Sequence, residues 1–157
     1  MGVFRTFAGV IVGYIVMVIG VFVTLGGAWL VLKADGAFLE APSWEPSTTW
    51  TVASLVLGLG VAIMGGFVCV MIAVKGSKAP IALAVFVVIM GAISAAVQLA
   101  KQNSAEPPPP RTAETTMFEA IQSAQVPMLS LIGNPIVGAI GALIGARLRG
   151  GKDQRAG

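Results

Sequence analysis

The chain has 157 residues, 56% hydrophobic and 11% charged, with a net charge of +3 and a mean hydropathy of +0.89. A soluble domain carries roughly a quarter charged residues, so the composition excludes an ordinary water-soluble protein and points to one dissolved in lipid. The ten Lys and Arg residues are scattered over helix ends and form no basic face, which argues against nucleic-acid binding. A lone Cys69 and the absence of histidine exclude an intramolecular disulfide and give no support to a zinc, haem or other cofactor site.

Charge-free runs cover Thr6 to Leu32, Pro46 to Val74, Ala79 to Ala100 and Ala120 to Ala146. Each supplies the roughly 20 apolar residues that cross about 30 Å of hydrocarbon. With no water there to satisfy backbone N–H and C=O groups, each crossing must be helical. The predicted fold class is therefore all-α, a polytopic membrane protein with four transmembrane helices in an up-down bundle and a short extracytoplasmic interfacial helix, all in one domain. The first run is longer than the apolar core of a signal peptide, which is about 7 to 15 residues, and reads as a retained span.

The first span covers residues 4–32 and carries Trp29 at its outer end. The outer loop, 33–50, contains Asp35-Gly36 as a turn signal and Pro42 and Pro46 as breakers, and Ser47 is placed to cap the second span, 51–74. Trp44 and Trp50 bracket that start and, with Trp29, are expected as anchors at the membrane interface. A short inner loop, 75–79, leads to the third span, 80–100, and a connection that short predicts that spans two and three are antiparallel neighbours.

The second outer loop, 101–127, contains Pro107 to Pro110, expected as a stiff polyproline II spacer. Thr116 and Glu119 have capping-box spacing, and Met117, Ile121 and Ala124 share one side of the helix they would start. Met117, Phe118 and Ile121 are expected to dip into the interface or cover the mouth of the bundle, with a partner-docking helix as the alternative. Pro127 marks the boundary with the fourth span, 128–148, and a cytoplasmic tail follows, 149–157.

Seven basic residues, Arg5, Lys75, Lys78, Arg147, Arg149, Lys152 and Arg155, fall on one side of this layout, and three, Lys33, Lys101 and Arg111, on the other. The positive-inside rule then puts both termini in the cytoplasm, in a plasma membrane of the bacterial inner-membrane kind.

The spans contain no carboxylate, lysine or histidine, which weighs against catalysis and carboxylate-coupled transport. Their polar groups include Tyr14, Ser94, Gln98 and Asn134, and these form the candidate polar site. Ser54 and Ser130 are read as packing hydroxyls. Asn134-Pro135 resembles the first two residues of the Asn-Pro-Ala motif of aquaporins, but Ile136 follows, the pair occurs once and there is no six-span repeat, so no aquaporin property carries over. The proline is expected to kink the helix and free the Leu131 carbonyl.

Small residues four apart let helices approach closely in lipid. Candidate packing positions of this GxxxG kind are Gly9 and Gly13 in the first span, Gly58, Ala62 and Gly66 in the second, and Gly138, Gly141, Ala142 and Gly145 in the fourth. Two staggered seams place the fourth span centrally. The functional expectation is a non-enzymatic accessory, scaffold or assembly subunit, with membrane lipids and other membrane subunits, or further copies of the chain, as partners. The alternatives are a pore or facilitator for a small neutral solute, and an enzyme acting on lipid at the outer face through Glu114 or Glu119 with Lys101 or Arg111.

Overall fold

The computed structural model describes residues 2–74, 77–104, 110–112 and 115–155. Pro107 to Pro109 of the expected polyproline spacer, Lys75, Glu106 and Glu114 lie outside the described residues. The elements are α1 (Gly2–Ala37), α2 (Thr48–Ile72), α3 (Ala79–Ser104), α4 (Met117–Ser123) and α5 (Met128–Arg155). Four of them are long and apolar enough to cross a membrane, so the chain is an all-α, multi-pass membrane protein. Their outward faces carry large apolar side chains such as Phe4, Phe7, Phe22 and Val31, which water would penalise and lipid accepts.

Local chemistry sets the helix ends. The Trp50 N–H donates to the Ser47 hydroxyl, 3.1 Å, so Ser47 caps α2 as the sequence predicts. At α4 the Glu119 N–H donates to the Thr116 hydroxyl while the Thr116 N–H donates to Glu119 Oε2 at 2.8 Å, completing the capping box. The start of α1 differs little from expectation, but its end overruns Leu32. At Lys33 the backbone takes φ 52° and ψ −168°, a region essentially reserved for glycine. The chain bends there and continues as a further helical turn, so Asp35-Gly36 lies inside a helix. That turn is held by packing, with Ala34 and Ala37 buried. The fourth span also runs on past Leu148, to Arg155.

The helices form a ring in the order α1, α2, α5, α3. α1 runs antiparallel to α2, with Gly9 against Cys69 and Ala73 and Gly20 against Val61. α2 runs parallel to α5, where Gly66 meets the Ala142 carbonyl and Gly145 meets the Ile63 carbonyl. α5 returns antiparallel along α3, with Gly138 against Val87 and Pro135 seated on Gly91. The expected neighbours α2 and α3 are therefore diagonal and touch only lightly. The short connection fixes their opposite directions, but backbone contact at Gly66, Gly141 and Gly145 draws α2 to α5 instead.

The bundle has two unlike ends. At the tail end, which holds both chain termini and the α2–α3 connection, Cys69, Leu83 and Ala142 are fully enclosed and Val10, Met17, Val61 and Ala62 pack around them. At the opposite, cap end, a second cluster joins Ala37, Phe38, Trp44 and Ala120, flanked by Trp29, Trp50 and Ala124. Between these cores the helices part.

Candidate functional site: a cavity beneath the cap

A cavity of about 460 Å³ lies between the two cores. Tyr14 of α1, Ser54 of α2, Ser94 and Gln98 of α3, and Ser130 and Asn134 of α5 contribute its polar lining, and the rest is apolar. The structure thus brings the four residues of the candidate polar site to one space. A second cavity of about 330 Å³ shares Ser54, Gln98, Ser130 and Asn134 with the first. These four form a polar waist between two apolar chambers. The upper chamber is walled by Trp29, Phe38 and Trp50 and roofed by Met117, Ala120, Ile121 and Ala124 around α4.

Local contacts place three of the lining residues, Asn134, Tyr14 and Ser54. The Pro135 ring fills the notch left by the missing side chain of Gly91, which fixes the neighbouring Asn134 beside α3. Tyr14 is held edge-on against Phe86, ring centres 4.9 Å apart at 83°. The Ser54 hydroxyl donates to the Thr51 carbonyl, 3.0 Å, satisfying itself within its own helix. The Gln98 and Asn134 amides have no hydrogen-bond partner among the described residues, and Asn134 is exposed. No charged side chain lines either chamber. An amide in hydrocarbon without a partner costs on the order of 1–3 kcal/mol by protein-derived scales, so an occupant that bonds to it is favoured.

The small residues divide by environment. A Cβ added at Gly13 would stand 2.8 Å from the Gly65 carbonyl oxygen, and one at Gly141 would stand 2.6 Å from Ala62 Cβ. Gly9, Gly66, Gly138 and Gly145 likewise face a neighbouring helix. Gly58 departs from its expected packing role: nothing lies within 4 Å of its would-be Cβ, and it lines the cavity. Four-residue spacing puts Gly58 on the same face as Ala62, but α1 and α5 have parted at that level.

The cap is held by Arg111, whose side chain is almost wholly enclosed. Its Nη2 donates to the Leu39 carbonyl at 2.8 Å, its Nε to the Ser43 carbonyl at 3.1 Å and its Nη1 to Asp35 Oδ1 at 3.1 Å. The guanidinium also lies 5.6 Å from the Phe38 ring centre, within cation–π range. The Gln125 N–H donates to the Trp44 carbonyl, 3.0 Å, tying the end of the second loop to the first. Trp44, expected as an interface anchor, is instead buried at 7% exposure, edge-on to Phe38 with centres 5.6 Å apart. Its indole serves the core of the cap because the Arg111 contacts fold the loop inward. Trp29 and Trp50 are half-buried and edge-on to each other, and Phe118 projects freely with 70% exposure.

Arg111 and Glu119, two of the groups of the outer-face enzyme reading, are both engaged elsewhere. Arg111 is bound by the first loop. The bonds from the backbone and hydroxyl of Thr116 hold the Glu119 carboxyl below the usual carboxylate range. No hydrogen bond or ion pair joins Glu119 to Lys101 or Arg111 among the described residues.

Sequence reasoning missed Arg111 as an organiser, the burial of Trp44, and Gly91 as the seat of Pro135. Ser54 keeps the bond within its own helix expected of a packing hydroxyl, but Ser54 and Ser130 also line the cavity, which sequence reasoning did not foresee. Spacing from Gln98 and Asn134 could have found these serines, since all four lie in the cap-side halves of their spans. Nothing local marks Arg111, whose partners are 68 to 76 residues away.

Fold and site together define a four-span helical membrane protein with an uncharged, laterally open cavity under a structured cap. Comparison of the chain with protein-family models, with curated proteins and with solved structures finds no match.

Proposed function

We propose that the protein is a non-enzymatic accessory or assembly subunit of a larger membrane complex, set in a plasma membrane of the bacterial inner-membrane kind. Both termini lie in the cytoplasm and the cap lies outside. The orientation rests on the seven-to-three partition of basic residues between the two ends. The observation that carries the functional reading is the poverty of reactive groups around an incomplete surface. The cavity offers two unpartnered amides and no charged group, and the exposed Phe118 of α4 projects away from the packed bundle.

Crosslinking in native membranes followed by mass spectrometry tests this reading. A partner at stoichiometric level is expected. Recovery of a lone monomer in gentle detergent, with no crosslinked partner, overturns it.

A facilitator for a small neutral solute is the second reading, favoured by the convergence of Tyr14, Ser94, Gln98 and Asn134 on one cavity. It is the weaker one, because beneath the cavity Leu83 and Cys69 are fully enclosed and leave no lined path to the tail end. Liposome flux that falls in Asn134→Leu would favour it, and flux indifferent to that change would remove it.

A further inference from the structure

The two chambers are too large and too apolar to be left to water. A water molecule claims about 30 Å³ of liquid and needs two to four polar partners, and the lower chamber alone is about 460 Å³ with mostly hydrocarbon walls. A partner's helix does not fit either, since with side chains it is about 10 Å across and the space lies inside one chain under the roof of α4. The size does match small-molecule sites, which run to roughly 300–1,000 Å³ with a few polar groups in an apolar lining.

The lining also states what the occupant's head must be. Gln98 and Asn134 each present donors and an acceptor, so together they can bond to a hydroxyl or to a carbonyl oxygen. Neither can neutralise a phosphate or an ammonium, and burying such a charge without a partner is prohibitive. Arg111, the buried cation of the cap, is already committed to three oxygens. Phe22 and Ser94 line the cavity and are nevertheless exposed, so it is open on the side where lipid tails lie.

We propose that the cavity is a binding site for a neutral lipid with a small oxygen head, a long-chain alcohol or a diacylglycerol, whose head bonds to Gln98 and Asn134 and whose chain lies on the apolar walls. Ser54 and Ser130 flank that head at the waist. The site belongs to one chain and needs no partner protein, so it can fail while the subunit reading stands, and the reverse.

The test uses purified full-length protein in nanodiscs, without other proteins, and a diazirine-bearing diacylglycerol as photolabel. Saturable labelling of residues 18–25 and 130–138 is expected, competed by unlabelled diacylglycerol or by a long-chain alcohol. Phosphatidylcholine carrying the same chains is expected not to compete. Gln98→Leu and Asn134→Leu should each raise the half-saturating concentration about fivefold, as for loss of one neutral hydrogen bond. The Cβ at residue 58 meets open space, so Gly58→Leu should project into the chamber and weaken labelling severalfold while the protein stays folded. Phe118→Ala, outside both chambers, should label as the parent does. Non-saturable labelling, equal competition by phosphatidylcholine, or full labelling of a folded Gly58→Leu protein overturns the proposal.

Discussion

Arg111 Nη1 and Asp35 Oδ1 stand 3.1 Å apart, yet the arginine side chain is 2% exposed and the aspartate side chain 80%. The pair is therefore a poor guide to where the energy lies. Water screens the aspartate, and exposed ion pairs are worth about 0–1 kcal/mol. The carbonyls of Leu39 and Ser43, by contrast, are neutral acceptors that tie the first loop's backbone to the enclosed Arg111 side chain. Arg111→Ala is expected to destabilise the cap by about 2–4 kcal/mol, from lost charged hydrogen bonds and lost stacking on Phe38. Asp35→Asn should cost less than about 1 kcal/mol. Hydrogen exchange at the amides of residues 38–47 checks the contrast; equal loss of protection in both variants would show that the ion pair is what holds the cap.

Glycines of similar spacing should respond oppositely. At Gly66 and Gly145 an added methyl would run into the backbone carbonyls of Ala142 and Ile63, so α2 and α5 would have to separate along their whole seam. In lipid, that close packing is a main source of helix attraction. Gly66→Ala and Gly145→Ala are expected to lower stability by about 1–3 kcal/mol, the usual cost of overpacking. Gly58→Ala meets nothing within 4 Å and should be neutral or slightly stabilising through helix propensity. Unfolding in mixed micelles at graded denaturing-detergent content separates the two outcomes.

The same glycines mark the limit of what the sequence could disclose. Runs free of charge locate the four spans because hydrocarbon excludes charge everywhere along a helix. Ser47 and the Thr116–Glu119 pair are equally legible, since capping involves residues three apart. A small-xxx-small period, however, says which residues share a face and not whether a neighbour covers it, which is why Gly58 and Gly66 look alike and behave differently. Adjacency of α2 and α5 was hidden because the shortest loop suggests α2 and α3. The polar site was half visible, as Gln98 and Asn134 stand out in apolar helices, whereas the cap depends on Arg111 reaching across about 70 residues of chain. No period in the sequence encodes that contact.

Acid should loosen α4. The Glu119 carboxylate accepts from the Thr116 N–H and hydroxyl, which holds its pKa below the ordinary value of 4.5. The folded box thus binds a proton less readily than the frayed segment does. Its contribution is present above about pH 4.5 and is lost as pH falls through the lower, folded value. The group is exposed, so the effect is local. Hydrogen exchange over residues 116–124, corrected for intrinsic rates, should show increased opening in acid, and Glu119→Ala should show that opening at neutral pH. A pH-independent α4 in the parent protein would contradict this account.

Lys33 offers a stabilising change. Its φ of 52° with ψ −168° is costly for a side chain bearing a Cβ, on the order of 1–3 kcal/mol, and glycine adopts it freely. Lys33→Gly is expected to gain up to about 1 kcal/mol once the entropy of glycine in the unfolded chain is subtracted. A thermal melt in detergent measures it. Loss of stability would mean that the lysine side chain contributes more than its backbone costs.

Pro135 and Gly91 are best tested as a pair. Proline inside a helix deprives the Leu131 carbonyl of its donor and would ordinarily be unfavourable. Here the ring is also the knob that fills the Gly91 notch, so the same residue spoils its own helix and joins α5 to α3. Gly91→Ala alone should be destabilising, because the added Cβ would overlap the Pro135 ring. Pro135→Ala alone restores a backbone hydrogen bond but leaves the notch empty, and the two effects should nearly cancel. In the double variant the new methyl at residue 91 occupies the space the ring vacated, so the losses should not add. A coupling energy of about 0.5–3 kcal/mol in a double-mutant cycle is expected. Strict additivity would show that the proline sits beside α3 without bearing on it, and the placement of Asn134 in the cavity would then need another cause.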